Sequence, residues 1–311
     1  MSLAPFVRVV AQGKGRARAL SLNEAQQAMT LILSGDAAPE AVGALLMVLR
    51  LRGETAEEIA GFTAALRAHV ATTVPKADID WPSYAAGRTR GAPLFLLSAE
   101  LVAQAGYSVC MHGINTHQRA AAQMRSLIPQ VAPNIDYRPL ESLSPKALDL
   151  LQLRDTFGLR SCINTVLRMW NPSGANLSVQ GVFHGVYRGI QSDATALLGP
   201  QDQIVIKGGG GEFERHPAKD ISLYGWRNGQ PISARAQAMR DETRRLHEPD
   251  ETLDLEALWR GDIRNDFARD AVIGTAALAL WAVGHCPTLD ETERFAATLW
   301  HKRYVTERLS A

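Results

Sequence analysis

Apolar residues in the first seventy positions recur with the spacing of short helices. Ser21–Glu24 and Thr55–Glu58 are capping boxes, in which a hydroxyl and a carboxylate three residues later satisfy the first free N–H groups of a helix. Together with the apolar segment between them, these capping boxes predict helices at 22–34, 39–51 and 56–69. The middle helix is apolar nearly all round, which indicates burial from several sides, including against a second subunit. Short loops between such helices are typical of a small all-α unit.

Beyond residue 72, apolar segments of strand length alternate with segments of helical length. The predicted strands follow Pro75–Asp80 and lie at 108–111, 179–183, 203–206 and 221–224. The predicted helices lie at 94–105, 145–170 with a break at Gly158, up to Leu198, 252–260, 265–284 and 288–309. This alternation predicts an α/β unit with a mostly parallel sheet, whose binding face is formed by loops at the strand ends. We therefore predict a helical small domain at 1–72, completed by helices within 145–190, and an α/β large domain at 73–311.

The stretch 81–98 contains a loop that leads into the helix at 94–105, and this loop carries the first candidate chemistry. Pro82, Gly87, Gly91 and Pro93 interrupt it, and Arg88 and Arg90 lie in it without a nearby acid. A glycine-containing loop that leads into a helix N-terminus is a common phosphate site, because free N–H groups and the helix dipole face the anion. The alternative is an ordinary surface turn with two solvated arginines.

Composition narrows the class of protein. The chain has 311 residues, of which 46% are hydrophobic and 21% charged, as in a globular protein of two domains. No apolar run approaches the roughly 18 residues of a membrane span, and the N-terminus lacks the pattern of a secretory signal. Cys110, Cys162 and Cys286 are an odd set, far apart, so we expect reduced thiols in a cytoplasmic protein without membrane partners.

The charge is nearly balanced but unevenly distributed. The net charge is +1, yet the charged residues of 1–20 are all basic and those of 151–190 are mostly arginines. Many of the acidic residues follow residue 240. Such segregation can give a neutral protein a positive face that attracts an anionic partner.

Three motifs resemble one known superfamily over nearly the whole chain. Residues 44–61 are similar to the pattern LRxKGET-EEIaG, residues 105–113 to AxGxxVxKHG, and residues 159–172 to LGxRTxFN…NP. These are motifs of the anthranilate phosphoribosyltransferase and pyrimidine nucleoside phosphorylase superfamily, the glycosyltransferase family 3 fold. The resemblance implies a helical small domain, a mostly parallel α/β large domain, and a homodimer formed through the N-terminal helical domain.

The chain departs from this superfamily where the enzymes bind phosphoribosyl pyrophosphate. The glycine-rich GTGGDG loop is replaced by Ser83–Arg88, the lysine of KHG by Met111, and the aspartate of the metal-binding D-E pair by Phe213. The degenerate phosphate loop comprises Ser83, Tyr84, Gly87, Ser98, His112 and Gly113. We therefore predict no catalytic residue and no cofactor, with Mg²⁺ only if the chain is a transferase. Glu212 and Glu214 are the metal candidates, two carboxylates without further ligands.

Other motifs resemble the TrpD2, or YbiB-like, branch of the superfamily. They are Pro82–Tyr84 with Gly87-Arg88, His112-Gly113 with Arg119, Lys207-Gly208 with Gly211-Glu212, and the basic segment 12–18. The branch implies binding of DNA or RNA with little sequence preference. The candidate phosphate contacts are Lys14, Arg16, Arg18, Arg88, Arg90, Arg154, Arg160, Arg168 and Lys207.

Each candidate also has a structural interpretation. Any of the basic residues can be a solvated surface charge. Trp81 and Tyr84 either stack on bases or pack the loop against the sheet, and the glycines at 208–211 form either a phosphate cradle or a tight turn. His112 is either a general base or an inherited loop residue. The rival functions are a phosphoribosyltransferase or nucleoside phosphorylase with an altered substrate, and a protein-interaction scaffold.

Overall fold

Four helices precede the sheet. The computed structural model describes residues 2–13, 15–70, 72–84, 91–114, 124–248 and 252–308, with side chains as far as Arg303. The first helices are α1 (Ala4–Ala11), α2 (Leu22–Leu33), α3 (Pro39–Arg52) and α4 (Ala56–Ala68). Both capping boxes are present at the starts of α2 and α4, as predicted. Helix α1 was not predicted; it has a proline in its first turn, a position where the missing N–H does not matter.

The described strands form one seven-stranded sheet with the order β3-β2-β1-β4-β5-β6-β7. Their bounds are β1 (Ile79–Ser83), β2 (Val109–Gly113), β3 (Asp136–Pro139), β4 (Leu177–Val182), β5 (Asp202–Lys207), β6 (Ile221–Arg227) and β7 (Gln230–Ala236). The first five are parallel, and β6 and β7 are antiparallel additions. The predicted α/β class with a mostly parallel sheet is confirmed.

The two outer strands were missed by sequence reasoning for one reason. Strand β3 is half-buried along its length and β7 is largely exposed, so neither carries an apolar run. Edge strands need only one neighbour, and their side chains need not be apolar.

The remaining helices pack around this sheet and against the first four helices. They are α5 (Phe95–Gln104), α6 (Met124–Val131), α7 (Leu140–Leu143), α8 (Pro145–Phe157), α9 (Ile163–Arg168), α10 (Tyr187–Leu198), α11 (Leu255–Arg260), α12 (Asp266–Ala282) and α13 (Leu289–Arg308). The predicted break at Gly158 is present: this glycine has a φ of 67° and ends α8.

Two separate groups of buried apolar side chains hold the molecule together. One joins α1–α4 to α7–α9 and includes Tyr84 at the end of β1. The other lies between the sheet and helices α5, α6 and α11–α13. The first group crosses the boundary placed after residue 72, because α8 and α9 bury their apolar faces against helices from the start of the chain. The boundary itself stays a prediction.

Within the described ranges, no helix is long and apolar enough to cross a membrane. Cys110, Cys162 and Cys286 are free thiols, the first two of them buried.

Candidate anion-binding site

The site lies where the parallel strands β1, β2, β4 and β5 end at the same edge of the sheet. In an open parallel sheet this edge is the usual place for a ligand. The paired residues Val182 and Lys207 mark the ends of β4 and β5. Helices α8 and α9 lie beside this edge, because residues of both line the same cavity as Val182 at the end of β4.

A cavity of about 590 Å³ opens between these helices and the end of β4. Its lining includes four arginines, Arg50, Arg154, Arg160 and Arg168, against one acid, Asp155. Arg154 and Asp155 form an exposed ion pair at 3.2 Å. The cavity wall therefore carries a net positive charge.

Burial and neighbouring positive charges make the charged form of the arginines on this wall less favourable. Burial, and next the positive charge of Arg154, lower the pKa of Arg160. Burial lowers the pKa of Arg168 as well, although the charge of Glu212 acts in the opposite direction. A desolvated cation beside other cations is stabilised by an anion that enters between them. The cavity is thus suited to a negatively charged ligand.

Two buried polar atoms in the wall lack partners among the described residues. Arg168 donates from Nη1 to the carbonyl oxygen of Asn164 at 2.7 Å, but its Nη2 makes no hydrogen bond. Gln191 lines the same cavity, is 1% exposed, and has no donor for its Oε1. Leaving such groups unsatisfied costs about 1–3 kcal/mol each, so the cavity offers a ligand one donor and one acceptor.

Apolar side chains stand at the cavity mouth. Leu159 is 54% exposed and Phe183 is 45% exposed, and both line the cavity. The Phe183 ring meets the imidazole of His184 edge-on, with 4.8 Å between the ring centroids. Exposed aromatic surface beside arginines is a common platform for nucleobases.

The predicted basic residues divide into three groups. Arg154, Arg160 and Arg168 line the cavity, and exposed Lys207 pairs in the sheet with the cavity residue Val182. Arg16 and Arg18 lie between α1 and α2, and the two guanidinium nitrogens of Arg18 already bind the carboxylate of Glu24, at 2.6 and 2.7 Å. Lys14, Gly87, Arg88, Arg90 and Arg119 lie outside the described residues.

Most of the degenerate phosphate loop is engaged within the protein. Ser83 and Gly113 end the paired strands β1 and β2. Ser98 donates its hydroxyl to the carbonyl of Val272 at 3.0 Å. Trp81 is fully buried and packs edge-on against Phe213 at 5.4 Å, and Tyr84 is 2% exposed. Trp81 and Tyr84 therefore pack in the protein interior and are not exposed for stacking.

His112 belongs to a buried polar chain at the strand ends. Its Nδ1 lies 2.8 Å from the Tyr84 hydroxyl, and its Nε2 lies 3.1 Å from Asp80, at an angle short of a hydrogen bond. Asp80 in turn accepts from Ser178 at 2.8 Å, and burial raises the pKa of Tyr84 well above its ordinary value. Because His112 is fully buried among these groups, it is placed to orient its neighbours rather than to exchange protons with a substrate.

The glycines at 208–211 form a tight turn. The N–H groups of Gly208, Gly209 and Gly211 bind the carbonyls of Val182, Glu214 and Gly208, at 3.0–3.3 Å. Amides that are already paired cannot cradle a phosphate, so this segment has a structural role. It does bring the buried carboxylates of Glu212 and Glu214 to the sheet edge.

Glu214 caps α5 from a distant part of the chain. Its Oε2 accepts from the backbone N–H of Phe95 at 3.0 Å, and its Oε1 lies 2.5 Å from Nε2 of His247. The helix end that the sequence marked as a phosphate site thus faces a carboxylate of the protein itself.

Sequence reasoning missed several residues of the cavity. Arg50, His184 and Gln191 come from three different elements, and no local motif links them. The doublet His184-Gly185 directly after β4 was the one available signal, because polar residues at the end of a parallel strand face the ligand edge.

Comparison with known proteins agrees with this architecture. Residues 8–70 match the helical bundle domain of a glycosyl transferase family. The anthranilate phosphoribosyltransferase of Rubrobacter xylanophilus is 26% identical over 89% of this chain and 88% of its own. Among solved structures, the enzyme from Thermus thermophilus superposes with a TM-score of 0.73 at 21% identity, covering 93% of this chain and 96% of its own.

These findings support the superfamily that the sequence motifs resemble: the chain is similar over most of its length to an anthranilate phosphoribosyltransferase and shares the fold of such enzymes. A further solved structure, the anthranilate phosphoribosyltransferase from Saccharomyces cerevisiae, is described in complex with PRPP and Mg; it is 15% identical with a TM-score of 0.73, covering 99% of this chain and 96% of its own. At this identity the likeness shows the shared fold.

The two metal candidates differ in how far the protein itself engages them. Both oxygens of Glu214 are engaged, by Phe95 and His247, and the preceding residue is the buried Phe213. Glu212 is also buried. Over the described residues, no group of three or more His, Cys, Asp or Glu could hold a metal.

Proposed function

We propose that this protein binds nucleic acid, DNA or RNA, without sequence preference, by placing phosphates in the arginine cavity. The observation that carries the proposal is Arg168, which lines the cavity and whose buried Nη2 has no hydrogen-bond partner among the described residues. A phosphate oxygen accepts from an arginine fork, and the binding is strong because the group is desolvated.

The other lining residues fit the same ligand. Arg160 and Arg154 extend the positive charge toward solvent, and Phe183 offers exposed aromatic surface beside them. Proteins that bind single-stranded nucleic acid usually contact the phosphates with basic side chains and stack the bases on aromatic rings. The motifs at residues 82–88 and 207–212, which resemble the TrpD2 branch, support the same function.

The test is fluorescence anisotropy of a labelled single-stranded oligonucleotide, titrated with protein at several salt concentrations. We expect binding that weakens steeply with salt, with a log–log slope of about −0.7 for each phosphate contacted. Arg160→Gln should weaken binding, whereas Arg294→Gln, an exposed arginine on α13, should not. Absence of binding at about 50 mM salt would refute the proposal.

A phosphoribosyltransferase with an altered substrate is the second candidate, and the relatives favour it. The curated protein and the two structures described above are all anthranilate phosphoribosyltransferases, and none is described as binding nucleic acid. Arg160 and Asn164 of the LGxRTxFN-like motif both line the cavity. In this case an aromatic carboxylate, rather than a phosphate, would meet the arginines.

The transferase is tested with phosphoribosyl pyrophosphate, Mg²⁺ and anthranilate. Release of pyrophosphate with loss of anthranilate fluorescence would establish it and would remove the nucleic-acid proposal if no oligonucleotide binds. On the geometry of Glu214 and Phe213 we expect no turnover.

We also propose a cytoplasmic homodimer joined through the N-terminal helical domain. A groove of about 560 Å³ between α1 and α2 is lined by Phe6 and Leu31, and Leu51 of α3 is 91% exposed. Light scattering after gel filtration tests the dimer, and a monomeric mass would exclude it.

A further inference from the structure

The N-terminus of α5 is closed by a carboxylate that comes from far along the chain. Phe95 donates its N–H to Glu214 Oε2 at 3.0 Å, across a separation of 119 residues. Helix α5 has no acid in its own first turn, and Leu94 at its N-cap supplies no side-chain cap. The positive end of the helix dipole therefore draws its negative charge from outside the helix.

The other N–H groups of this turn are paired locally. Leu96 donates to Pro93, and Leu97 and Ser98 donate to Leu94, at 3.1–3.3 Å. The N–H of Phe95 differs because its partner lies outside the turn. This is the type of donor that binds an oxygen of a phosphate at other helix N-termini.

His247 holds the carboxylate from the other side. Its Nε2 lies 2.5 Å from Glu214 Oε1, with 13% of the imidazole and none of the carboxylate exposed. A fully buried carboxylate is stable only when such partners replace the water it has lost. The contacts to Phe95 and His247 together occupy both oxygens.

Two glycines make room for this arrangement. A Cβ at Gly91 would lie 2.4 Å from Nδ1 of His247, and a Cβ at Gly209 would lie 2.7 Å from Oε1 of Glu214. Both positions admit the Glu214–His247 pair only because they lack side chains. The backbone therefore packs closely against both members of the pair.

We propose that Glu214 is a built-in anion, which takes the place of a phosphate at the N-terminus of α5 and determines which anions the protein accepts. A phosphate oxygen cannot share the Phe95 N–H while Glu214 holds it, and two negative charges in a buried site repel strongly. Among the described residues, the arginine cavity is then the place for an external anion. The inference deepens the proposed function, on which this last consequence rests.

The test follows the backbone amide of Phe95 by ¹⁵N NMR while inorganic pyrophosphate is added. In the wild-type protein this resonance should stay in place, even if resonances near Arg160 move. In Glu214→Ser, which removes the carboxylate, the Phe95 amide should shift with saturation, at a Kd at least tenfold below any found for the wild type. Glu256→Ser, at a partly exposed position of α11 where the carboxylate pairs with Arg260, is the matched control and should behave as the wild type.

Glu214→Gln separates occupancy from charge. It keeps an oxygen acceptor for Phe95 but removes the negative charge, so the affinity for pyrophosphate should fall between those of the wild type and the serine variant. If the serine variant does not fold, the wild-type and glutamine titrations decide. A wild-type Phe95 amide that shifts with pyrophosphate, or a folded serine variant without gain, would overturn the inference.

The same samples are tested for oligonucleotide binding, which separates this inference from the proposed function. A wild type that binds oligonucleotide, with a serine variant that gains nothing, refutes the built-in anion alone. A wild type without oligonucleotide binding, with a serine variant that gains pyrophosphate, refutes the nucleic-acid function alone.

Discussion

Two places in this molecule attract negative charge, and they are satisfied differently. The N-terminus of α5 receives a carboxylate from Glu214, which His247 holds in a fully buried position. The arginine cavity has only Asp155 among its lining residues to set against four arginines, and Arg168 keeps an unpaired donor within the described structure. The first place is complete without a ligand, whereas the second is stabilised by one.

The comparison teaches that a helix N-terminus at the ligand edge of a sheet can be closed by the protein itself. Helix α5 begins beyond the end of β1, at the edge where the parallel strands end, and its first N–H group is held by Glu214. The positive charge available to an external ligand then lies in the wall built by α8 and α9.

The largest expected effect comes from breaking the closed site. His247→Ala leaves the buried Glu214 carboxylate with one hydrogen-bond partner fewer, which costs about 3 kcal/mol or more for a buried charged acceptor. Urea unfolding measures this as a lower transition midpoint with an unchanged slope. His285→Ala is the control, since His285 makes a hydrogen bond of 3.1 Å with the Tyr107 hydroxyl, worth about 1 kcal/mol, and touches no buried carboxylate in that bond. Equal losses in the two variants would show that Glu214 does not depend on His247.

A slightly smaller effect is expected from filling the space beside His247. Gly91 has a φ of +76°, and its Cβ would lie 2.4 Å from the imidazole, so Gly91→Ala combines backbone strain with a collision. Gly229→Ala has a similar φ of +69° with nothing within 4 Å, so it measures the strain alone, about 1–2 kcal/mol. In thermal unfolding, we expect Gly91→Ala to lose about 1 kcal/mol more of its free energy of unfolding than Gly229→Ala. Identical melting temperatures would contradict the tight packing over Gly91.

The open site is tested by removing one of its charges. Arg160→Gln removes a cation that lines the cavity, so the salt slope for single strands should become shallower by about 0.7, with up to roughly tenfold weaker binding. Anisotropy titrations at several salt concentrations measure both quantities. An unchanged slope would place the phosphates elsewhere on the protein.

The smallest effect is expected at Arg18, where an acid of the chain again neutralises a candidate phosphate contact. Its hydrogen bonds lower the pKa of Glu24 from 4.5 to about 2. Because the folded pKa is the lower one, this contribution is present above pH 4.5 and is lost as the pH falls from there toward 2. The pair is partly exposed, so we expect at most about 1 kcal/mol in unfolding experiments across that range.

Arg18→Ala should also leave oligonucleotide affinity within about twofold at neutral pH, since Glu24 already holds its guanidinium group. Glu24→Gln supplies the control, because it should flatten the acid-dependent loss of stability. A marked loss of binding in Arg18→Ala would mean that this pair opens to admit a phosphate.

The elements with strong local signals were predictable. Capping boxes at Ser21 and Thr55 predicted α2 and α4. The apolar runs that lead to Met111 and Lys207 predicted buried parallel strands. The resemblance of residues 44–61 and 105–113 indicated the superfamily, which the comparisons support. The half-buried strand β3 and the exposed strand β7 were not predictable, because they lack an apolar run.

The candidate site was predictable only in part. Arg154, Arg160 and Arg168 could be selected because they cluster along the sequence, and they also cluster in space. Nothing in the sequence indicated that Arg18 is held by Glu24, or that Arg50 belongs to the cavity. These relations depend on which side chains the fold brings within a few ångströms.

The sequence by itself determined the class of fold, since periodicity and caps act over a few residues and each helix or strand carries its own signal. It also showed that the phosphate loop and the D-E pair are altered. Only the tertiary structure decided what replaced them. Phe95 and Glu214 are separated by 119 residues, and a carboxylate satisfies a helix end only at hydrogen-bond distance. Such pairing over long sequence separations depends on the packing of the whole sheet, so no local pattern can reveal which anion site is closed and which stays open.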